Sequence, residues 1–196
     1  RAKETGWIIR TLSRSNKECI SWDPEGIAEG REETLSAVRD ALEGADLLVN
    51  LAGASLADGK LDINHSKLVL NSRIHATRAL AKAWQECTSP PPCWIQASAT
   101  GYYGDTGEED VTEEGVQGNL FLSQVCEAWE ETAREIEDRK SGLPRLILLR
   151  LGLVFAKDAP AWKKMTMPIR IGLGGALGEG TQWYAWVEAE DMARAV

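Results

Sequence analysis

In this 196-residue chain, the residues most suited to catalysis or ligand binding are the hydroxyl side chains that follow an apolar run ending at Ile95. The run leads into the sequence Gln-Ala-Ser-Ala-Thr-Gly-Tyr-Tyr-Gly at residues 96–104, which places Ser98 and Thr100 at the end of a predicted strand. In a parallel sheet, ligands bind at the carboxyl ends of the strands, where polar side chains meet them. The pattern therefore indicates an enzyme site, with a plain loop as the alternative because the same residue types favour turns.

Strands and helices are predicted to alternate on both sides of this group. Strands are expected at residues 7–12, 46–51, 93–98 and 145–155, and helices at residues 32–42, 64–84, 119–140, 162–171 and from 189 onward. The last strand is so apolar that both of its faces are expected to be covered. This alternation is typical of an α/β fold, in which a doubly wound parallel sheet carries helices on both faces.

Apolar residues that recur every three or four positions predict the buried face of each helix. These residues are Leu35, Val38 and Leu42 in the first helix, Leu70, Ile74, Thr77, Ala81 and Trp84 in the second, and Leu122, Val125, Cys126, Trp129, Ala133 and Ile136 in the third. We expect the core of the fold to be built from these side chains.

Both ends of the chain fall within predicted elements. Residues 1–5 have the character of a helix end, and a dinucleotide-binding fold places a strand and a glycine-rich turn before it. We therefore expect the first strand and its glycine-rich turn to lie outside this chain. The glycines at residues 172–178 do not supply the missing turn, because Leu177 breaks the G-x-G-x-x-G pattern. We interpret them as a loop that approaches a ligand or another backbone closely, or as a plain turn.

The composition argues against several classes of function. A net charge of −8 without a basic run disfavours nucleic acid and anionic membranes as partners, since both attract cationic surfaces. The four cysteines form no C-x-x-C pair and only two histidines are present, so neither a zinc site nor a disulfide framework is predicted. No apolar run approaches the roughly 20 residues that span a bilayer. We expect a cytoplasmic protein that binds no metal, and location in an organelle is the alternative.

Several short motifs occur in one order along the chain. They are Ser13-Arg14, Asn50 to Gly53, Asn71 to Arg73, Ser98 to Gly104, Cys126 to Glu130, Leu149 to Val154, Gly172 to Gln182, and Trp186-Val187 with Asp191. In this combination the chain resembles the epimerase family proteins of the extended short-chain dehydrogenase/reductase superfamily, the nucleoside-diphosphate-sugar epimerase-like branch. The resemblance implies a Rossmann domain over residues 1–160 that lacks its first strand, and a bound nicotinamide cofactor. It also implies the start of a substrate-binding lobe over residues 161–196, with most of the carboxyl-terminal lobe outside this chain.

The residues expected to bind this cofactor lie mainly at the ends of the early strands. Arg14 suits a 2′-phosphate through charge-assisted hydrogen bonds, which favours NADP over NAD, although a solvated surface arginine is the alternative. Arg73 lies off the apolar stripe of its helix, and the resemblance directs it at the cofactor, whereas an exposed salt bridge is the alternative. The complete predicted set is Ser13, Arg14, Asn50, Leu51, Ala52, Gly53, Arg73 and Val154.

The predicted catalytic group departs from the pattern of the superfamily. Active relatives are expected to use a Ser or Thr after the fourth strand together with a Tyr-x-x-x-Lys on the next helix. Ser98 fits the first role with Thr100 behind it, but Leu122 and Cys126 stand where the tyrosine and lysine belong. Tyr103, or its neighbour Tyr102, is the candidate replacement acid, although tyrosines of this kind also serve as packing residues. Glu188 is a further departure, because the resemblance places histidine there.

Three functions are compatible with these residues. The first is an NADP-dependent oxidoreductase or epimerase, with NAD as the lesser option, that acts on a small hydroxylated or nucleotide-sugar-like substrate. The second is a nucleotide-binding sensor or scaffold without turnover, which the missing Tyr and Lys favour. The third is an interaction protein that uses some of its eight tryptophans as anchors. The first is the main prediction. It includes a small-molecule substrate, and a homodimer is one option for the oligomeric state.

Overall fold

The structure is a computed structural model that describes residues 6–136, 144–175 and 178–196. It divides into two compact units, Arg1–Leu149 and Arg150–Val196. The helix end predicted at residues 1–5 and the last turn of the helix predicted at 119–140 lie outside the described residues. The same holds for residues 176 and 177 of the glycine-rich loop.

Strands and helices alternate through the first unit. In chain order they are β1 (Leu12–Ser13), β2 (Ile20–Ser21), α1 (Pro24–Ala28), α2 (Leu35–Leu42), β3 (Leu48–Asn50), α3 (Ile63–Gln85), β4 (Cys93–Ala99), a short 3-10 helix (Thr100–Tyr102), α4 (Phe121–Arg134) and β5 (Arg145–Leu151), whose last residues extend into the second unit. Strands β3, β4 and β5 form a sheet in that order, and β1 pairs with β2. The β3–β4 and β1–β2 pairs are both parallel, which confirms the predicted α/β class.

The second unit contains four shorter elements. They are β6 (Leu153–Phe155), α5 (Pro160–Arg170), β7 (Trp186–Glu188) and α6 (Ala189–Ala195). Strands β6 and β7 are parallel, with Val154 opposite Val187. Helices α5 and α6 confirm the helices predicted at residues 162–171 and from residue 189 onward. Among the helices of the described residues, none combines the length and the hydropathy that crossing a membrane requires.

Side-chain caps explain where two of the helices begin. Asp62 precedes α3, and its carboxylate accepts hydrogen bonds from the backbone N–H groups of Asn64 and His65 at 3.0 and 2.9 Å. Asp23 similarly accepts from Gly26 N at 3.0 Å in α1, whose first residue is Pro24. These bonds satisfy donors that have no partner within the helix, and proline at the first position has no such donor to satisfy.

The core of the first unit surrounds α3, which packs against α1, α2 and α4. The predicted inner faces of α2 and α4 are confirmed, apart from Leu122, which is only half-buried. The predicted stripe of α3 was partly wrong, because Leu70, Ile74 and Ala81 are also half-buried. The buried residues of α3 are instead Val69, Ala76, Thr77, Ala79, Leu80, Ala83 and Trp84. A helix that contacts three other helices buries a broader face than a single stripe describes.

Two predicted strands differ from the observed ones. The strand predicted at residues 7–12 was wrong for its first five residues, since β1 starts at Leu12 and Ile8 is 91% exposed. A strand requires a hydrogen-bonded neighbour, and β1 pairs with β2 only through its two residues. The strand predicted at 145–155 is divided at Gly152 into β5 and β6, which belong to different sheets. Both strands are largely half-buried, so within the described residues their faces are partly covered.

Candidate functional site

A cleft of about 380 Å³ lies in the first unit, between the carboxyl ends of β1 and β3 and one face of α3. Its walls are Leu12, Ser13, Arg14, Ser15, Trp22, Pro24, Glu25, Leu51, Ala52, Gly53, Lys67, Leu68, Asn71, Ser72, His75 and Ala76. Five of the eight predicted cofactor residues are among them. The cleft has the location at which a parallel sheet binds ligands, and we call it the β1–α3 cleft.

The turn after β1 presents Arg14 at the mouth of the β1–α3 cleft. The hydroxyl of Ser13 accepts hydrogen bonds from the backbone N–H groups of Ser15 and Asn16 at 3.3 and 3.1 Å. Such serine turns fix the local backbone. Arg14 is exposed and lines the cleft, so its guanidinium is accessible to an anion. Lys67 of α3 brings a second cation to the same cleft, and Glu25 brings an anion.

Asn50, at the end of β3, is 1% exposed and faces the interior instead of the cleft. Its amide group donates to Thr77 Oγ1 at 3.2 Å and to Gln96 Oε1 at 2.9 Å. Its carbonyl oxygen Oδ1 accepts from the backbone N–H of Ala52 at 3.1 Å. Asn50 therefore contributes to the cleft by holding the segment of residues 51–54, which we call the Gly53 loop.

Arg73 holds the other end of the Gly53 loop. Its Nη1 donates to the carbonyl oxygens of Ala54 and Val69 at 3.1 and 2.9 Å, and burial lowers the pKa of its guanidinium. A Cβ atom added to Gly53 would lie 3.0 Å from Arg73 Cζ, so the close approach of this side chain favours glycine. Ser72 adds a hydrogen bond, since its hydroxyl accepts from Ala54 N at 2.9 Å.

Ser98 lies at the end of β4 and is 2% exposed. Its hydroxyl donates to Glu130 Oε1 at 2.7 Å, and the other carboxylate oxygen accepts from Arg134 Nη2 at 3.1 Å. Cys126 lies one turn before Glu130 on α4, and burial raises the pKa of its thiol. A fully buried carboxylate is costly unless it is paired, and these two partners account for its presence.

The other predicted catalytic residues follow β4 directly. Thr100 and Tyr102 belong to the 3-10 helix, and Tyr103 follows it. All three are half-buried. The rings of Tyr102 and Tyr103 meet edge to face, with centroids 5.4 Å apart. The positions expected for Tyr and Lys on α4 hold the half-buried Leu122 and the buried Cys126, neither of which transfers protons in the manner of that pair.

Several predicted features belong to the second unit. Val154 is a half-buried residue of β6. Glu188 caps α6, because its carboxylate accepts from the backbone N–H groups of Glu190 and Asp191 at 2.6 and 3.4 Å. In the glycine-rich loop, Gly172 has a φ of +77° with no neighbour to its side, which is typical of a turn.

The sequence analysis missed the α3 wall of the cleft and the carboxylate next to Ser98. Lys67, Asn71 and His75 recur every four residues, a spacing that places them on one helix face. That spacing was the available signal. For Glu130, the signal was an acidic residue beside the apolar stripe of α4, since such a residue is buried only when it has partners.

Comparison with known sequences extends these observations. The profile of the NAD dependent epimerase/dehydratase family matches residues 1–196. An epimerase family protein of Mycobacterium leprae is 32% identical over 191 residues, which are 96% of this chain and 58% of that protein. The chain therefore spans somewhat more than half the length of this relative.

Two solved structures are similar to this one. The human epimerase family protein SDR39U1, solved with NADPH, has a TM-score of 0.80 and 26% identity, covering 97% of this chain and 61% of that one. A nucleoside-diphosphate sugar epimerase from Corynebacterium glutamicum has a TM-score of 0.72 and 30% identity, covering 97% and 37%. Both likenesses extend over nearly all of this chain and identify its fold as Rossmann-like.

Proposed function

The chain belongs to the NAD dependent epimerase/dehydratase family, and from this premise we propose that it is part of an NADP-dependent oxidoreductase or epimerase of the short-chain dehydrogenase/reductase type. Its substrate would be a small hydroxylated or nucleotide-sugar-like molecule. In this proposal residues 1–160 bind the cofactor, and residues 161–196 are the start of the substrate-binding lobe. We propose that the protein is cytoplasmic.

The observation that carries the proposal is the β1–α3 cleft. It brings Ser13 and Arg14 together with Leu51, Ala52 and Gly53, although the two groups are far apart in the sequence. The small residues allow the adenosine part of a dinucleotide to approach the backbone, and Arg14 offers bidentate hydrogen bonds to a 2′-phosphate. Lys67 adds positive charge. The NADPH in the human SDR39U1 structure supports the same choice of cofactor.

The remaining predicted residues complete the site. Asn50 and Arg73 take part by holding the Gly53 loop, and we keep Val154 as a cofactor residue from the resemblance. A bound nicotinamide ring would supply hydride transfer. We assign to Ser98 the binding of the reacting substrate oxygen, with Thr100 behind it and Tyr103 as the acid.

A nucleotide-binding sensor or scaffold is the second candidate function. The specific observation in its favour is the state of Ser98, which is buried and already donates to Glu130. The absence of tyrosine and lysine at positions 122 and 126 points in the same direction. The two functions share the cofactor cleft and differ in whether a substrate is turned over. An oxidoreductase consumes cofactor, whereas an epimerase returns it to its starting state and is recognised by conversion of its substrate.

Cofactor titration of an Arg14→Ala variant of the full-length protein tests the proposal. The parent is expected to bind NADPH, seen as a change in nicotinamide fluorescence. The variant is expected to lose about 1 to 3 kcal/mol more affinity for NADPH than for NADH, because hydrogen bonds to charged groups have this strength.

Arg78→Ala is the matched control. Arg78 is an exposed cation of α3 that does not line the β1–α3 cleft, so its removal changes the net charge equally without touching the site. We expect it to leave both affinities unchanged. Equal losses for NADPH and NADH in Arg14→Ala would refute the 2′-phosphate assignment, and a parent that binds neither cofactor would refute the proposed function.

A further inference from the structure

Trp129 of α4 is a core residue, 5% exposed, that contacts two other side chains in a specific way. Its indole N–H donates to Thr77 Oγ1 at 3.1 Å. Its ring lies beneath the guanidinium of Arg73, with Arg73 Cζ 4.9 Å from the ring centroid. Each of these partners leads to the Gly53 loop.

The first route runs through Thr77 and Asn50. The Thr77 hydroxyl donates to Arg73 O at 2.9 Å and accepts from Asn50 Nδ2 at 3.2 Å as well as from Trp129. Its one proton and both lone pairs are thus engaged. Because both N–H groups of the Asn50 amide also have acceptors, the Asn50 carbonyl oxygen is held toward Ala52 N, from which it accepts at 3.1 Å.

The second route is the Arg73 side chain itself. The ring of Trp129 lies against its guanidinium, a contact that attracts a cation to the ring face. From this position Arg73 Nη1 donates to Ala54 O at 3.1 Å. The two routes therefore end on the backbone groups of Ala52 and Ala54, on either side of Gly53.

We propose that Trp129 is a positioning residue for the cofactor: it sets the backbone of the Gly53 loop from the interior, through Thr77 and Asn50 on one side and Arg73 on the other. This inference rests on the proposed function, because it assumes that the Gly53 loop contacts a nicotinamide dinucleotide. A buried side-chain network in which each group has its partner holds one geometry. A loop held in its binding geometry binds with less loss of conformational freedom.

The test compares two tryptophan variants of the full-length protein. Trp129→Phe keeps a ring under Arg73 but removes the indole N–H. Trp84→Phe is the matched control, because Trp84 is also buried, at 7% exposed, and its indole N–H donates to Pro91 O at 3.0 Å. The dissociation constant of NADPH is measured by its nicotinamide fluorescence, and that of 2′,5′-ADP by its displacement of bound NADPH. Both are measured at a temperature where circular dichroism shows every variant folded.

We expect Trp129→Phe to raise both dissociation constants about fivefold, in the range for loss of one hydrogen bond, and Trp84→Phe to leave them unchanged. Arg73→Met is expected to weaken binding similarly, whereas Arg78→Met is not. In the double variant Trp129→Phe with Arg73→Met, the two effects are expected to be non-additive, since both act on one loop.

Equal dissociation constants for Trp129→Phe and Trp84→Phe, with the parent binding NADPH, would overturn the positioning role and leave the proposed function standing. A parent that binds neither NADPH nor 2′,5′-ADP would overturn both. If Trp129→Phe does not fold, the comparison of Arg73→Met with Arg78→Met decides, and equal affinities in that pair would overturn the inference.

Discussion

At the scale of single residues, the hydrogen bond from Ser98 to Glu130 restricts what this serine can do. A hydroxyl has one proton, and that of Ser98 is directed at Glu130 Oε1. Its oxygen can therefore only accept from a further group. Because Ser98 is also 2% exposed, the substrate contact that we propose for it requires this hydroxyl to leave Glu130 and reach the substrate oxygen.

Replacement of Ser98 separates binding from turnover. We expect Ser98→Ala to abolish turnover of a panel of small carbonyl compounds and nucleotide sugars while leaving the NADPH dissociation constant nearly unchanged. In our proposal the hydroxyl contacts the substrate oxygen and not the phosphates. Tyr103→Phe is expected to slow turnover if this phenol is the acid. Redox turnover is measured by the absorbance of the reduced nicotinamide, and epimerisation by chromatography of the nucleotide sugar.

Thr132→Val serves as the control for Ser98→Ala. Thr132 is a buried hydroxyl on α4 that donates to Ala128 O at 2.7 Å within its own helix, so its loss is expected to leave turnover intact. Turnover at the parent rate in a variant lacking both the Ser98 and Tyr103 hydroxyls would place the catalytic group elsewhere. A parent that binds NADPH firmly but neither consumes it nor converts any substrate of the panel would favour the sensor.

At the scale of elements, α3 combines a structural role with a role in the cleft. One face packs in the core against α1, α2 and α4, and another presents Lys67, Asn71 and His75 to the β1–α3 cleft. The same helix carries Arg73 and Thr77, which hold the Gly53 loop and its support. The conformation of the cleft therefore depends on the stability of α3.

The cap of α3 gives a prediction at this scale. Asp62→Ala removes the carboxylate that accepts from Asn64 N and His65 N. We expect the free energy of unfolding, measured by urea denaturation, to fall by about 1 kcal/mol, the usual cost of losing such a cap. Asp62→Asn retains an acceptor and is expected to remain near the parent. If both variants lose the same stability, the negative charge matters and the cap does not.

At the scale of the whole molecule, the chain carries a net charge of −8, which opposes the approach of an anionic dinucleotide. The β1–α3 cleft counters this locally with Arg14 and Lys67. The potential in the cleft is set mainly by these two cations, because salt screens exposed charges that lie more than about 10 Å from a ligand. The prediction against polyanionic partners, which rests on the overall charge, is therefore compatible with binding of a phosphorylated small molecule.

Occupation of the cleft should stabilise the folded protein as a whole. At an NADPH concentration 100 times its dissociation constant, linkage predicts a gain of about 2.7 kcal/mol in the free energy of unfolding. Thermal unfolding followed by tryptophan fluorescence measures it as a rise in midpoint temperature that increases with NADPH concentration. NADH at the same concentration is expected to give a smaller rise. An unchanged midpoint at saturating NADPH would contradict binding to the folded state.

The sequence by itself determined the α/β class and most of the inner faces of α2 and α4. It also singled out Ser13, Arg14 and residues 51–53 as cofactor candidates, and these residues line one cleft. These follow from local periodicity and from the rule that parallel strands present their carboxyl ends at one edge. Such patterns depend on residues close together in the sequence, so they can be recognised without knowledge of the tertiary structure.

Only the tertiary structure decided which distant residues become partners. Glu130 is 32 residues from Ser98, and Trp129 is 52 residues from Thr77, so no local pattern connects them. The apolar run at 145–155 was divided because a strand is defined by its neighbours, and β5 and β6 join different sheets. Burial and hydrogen bonding depend on atoms brought together by folding, and periodicity identifies a buried face without identifying what covers it.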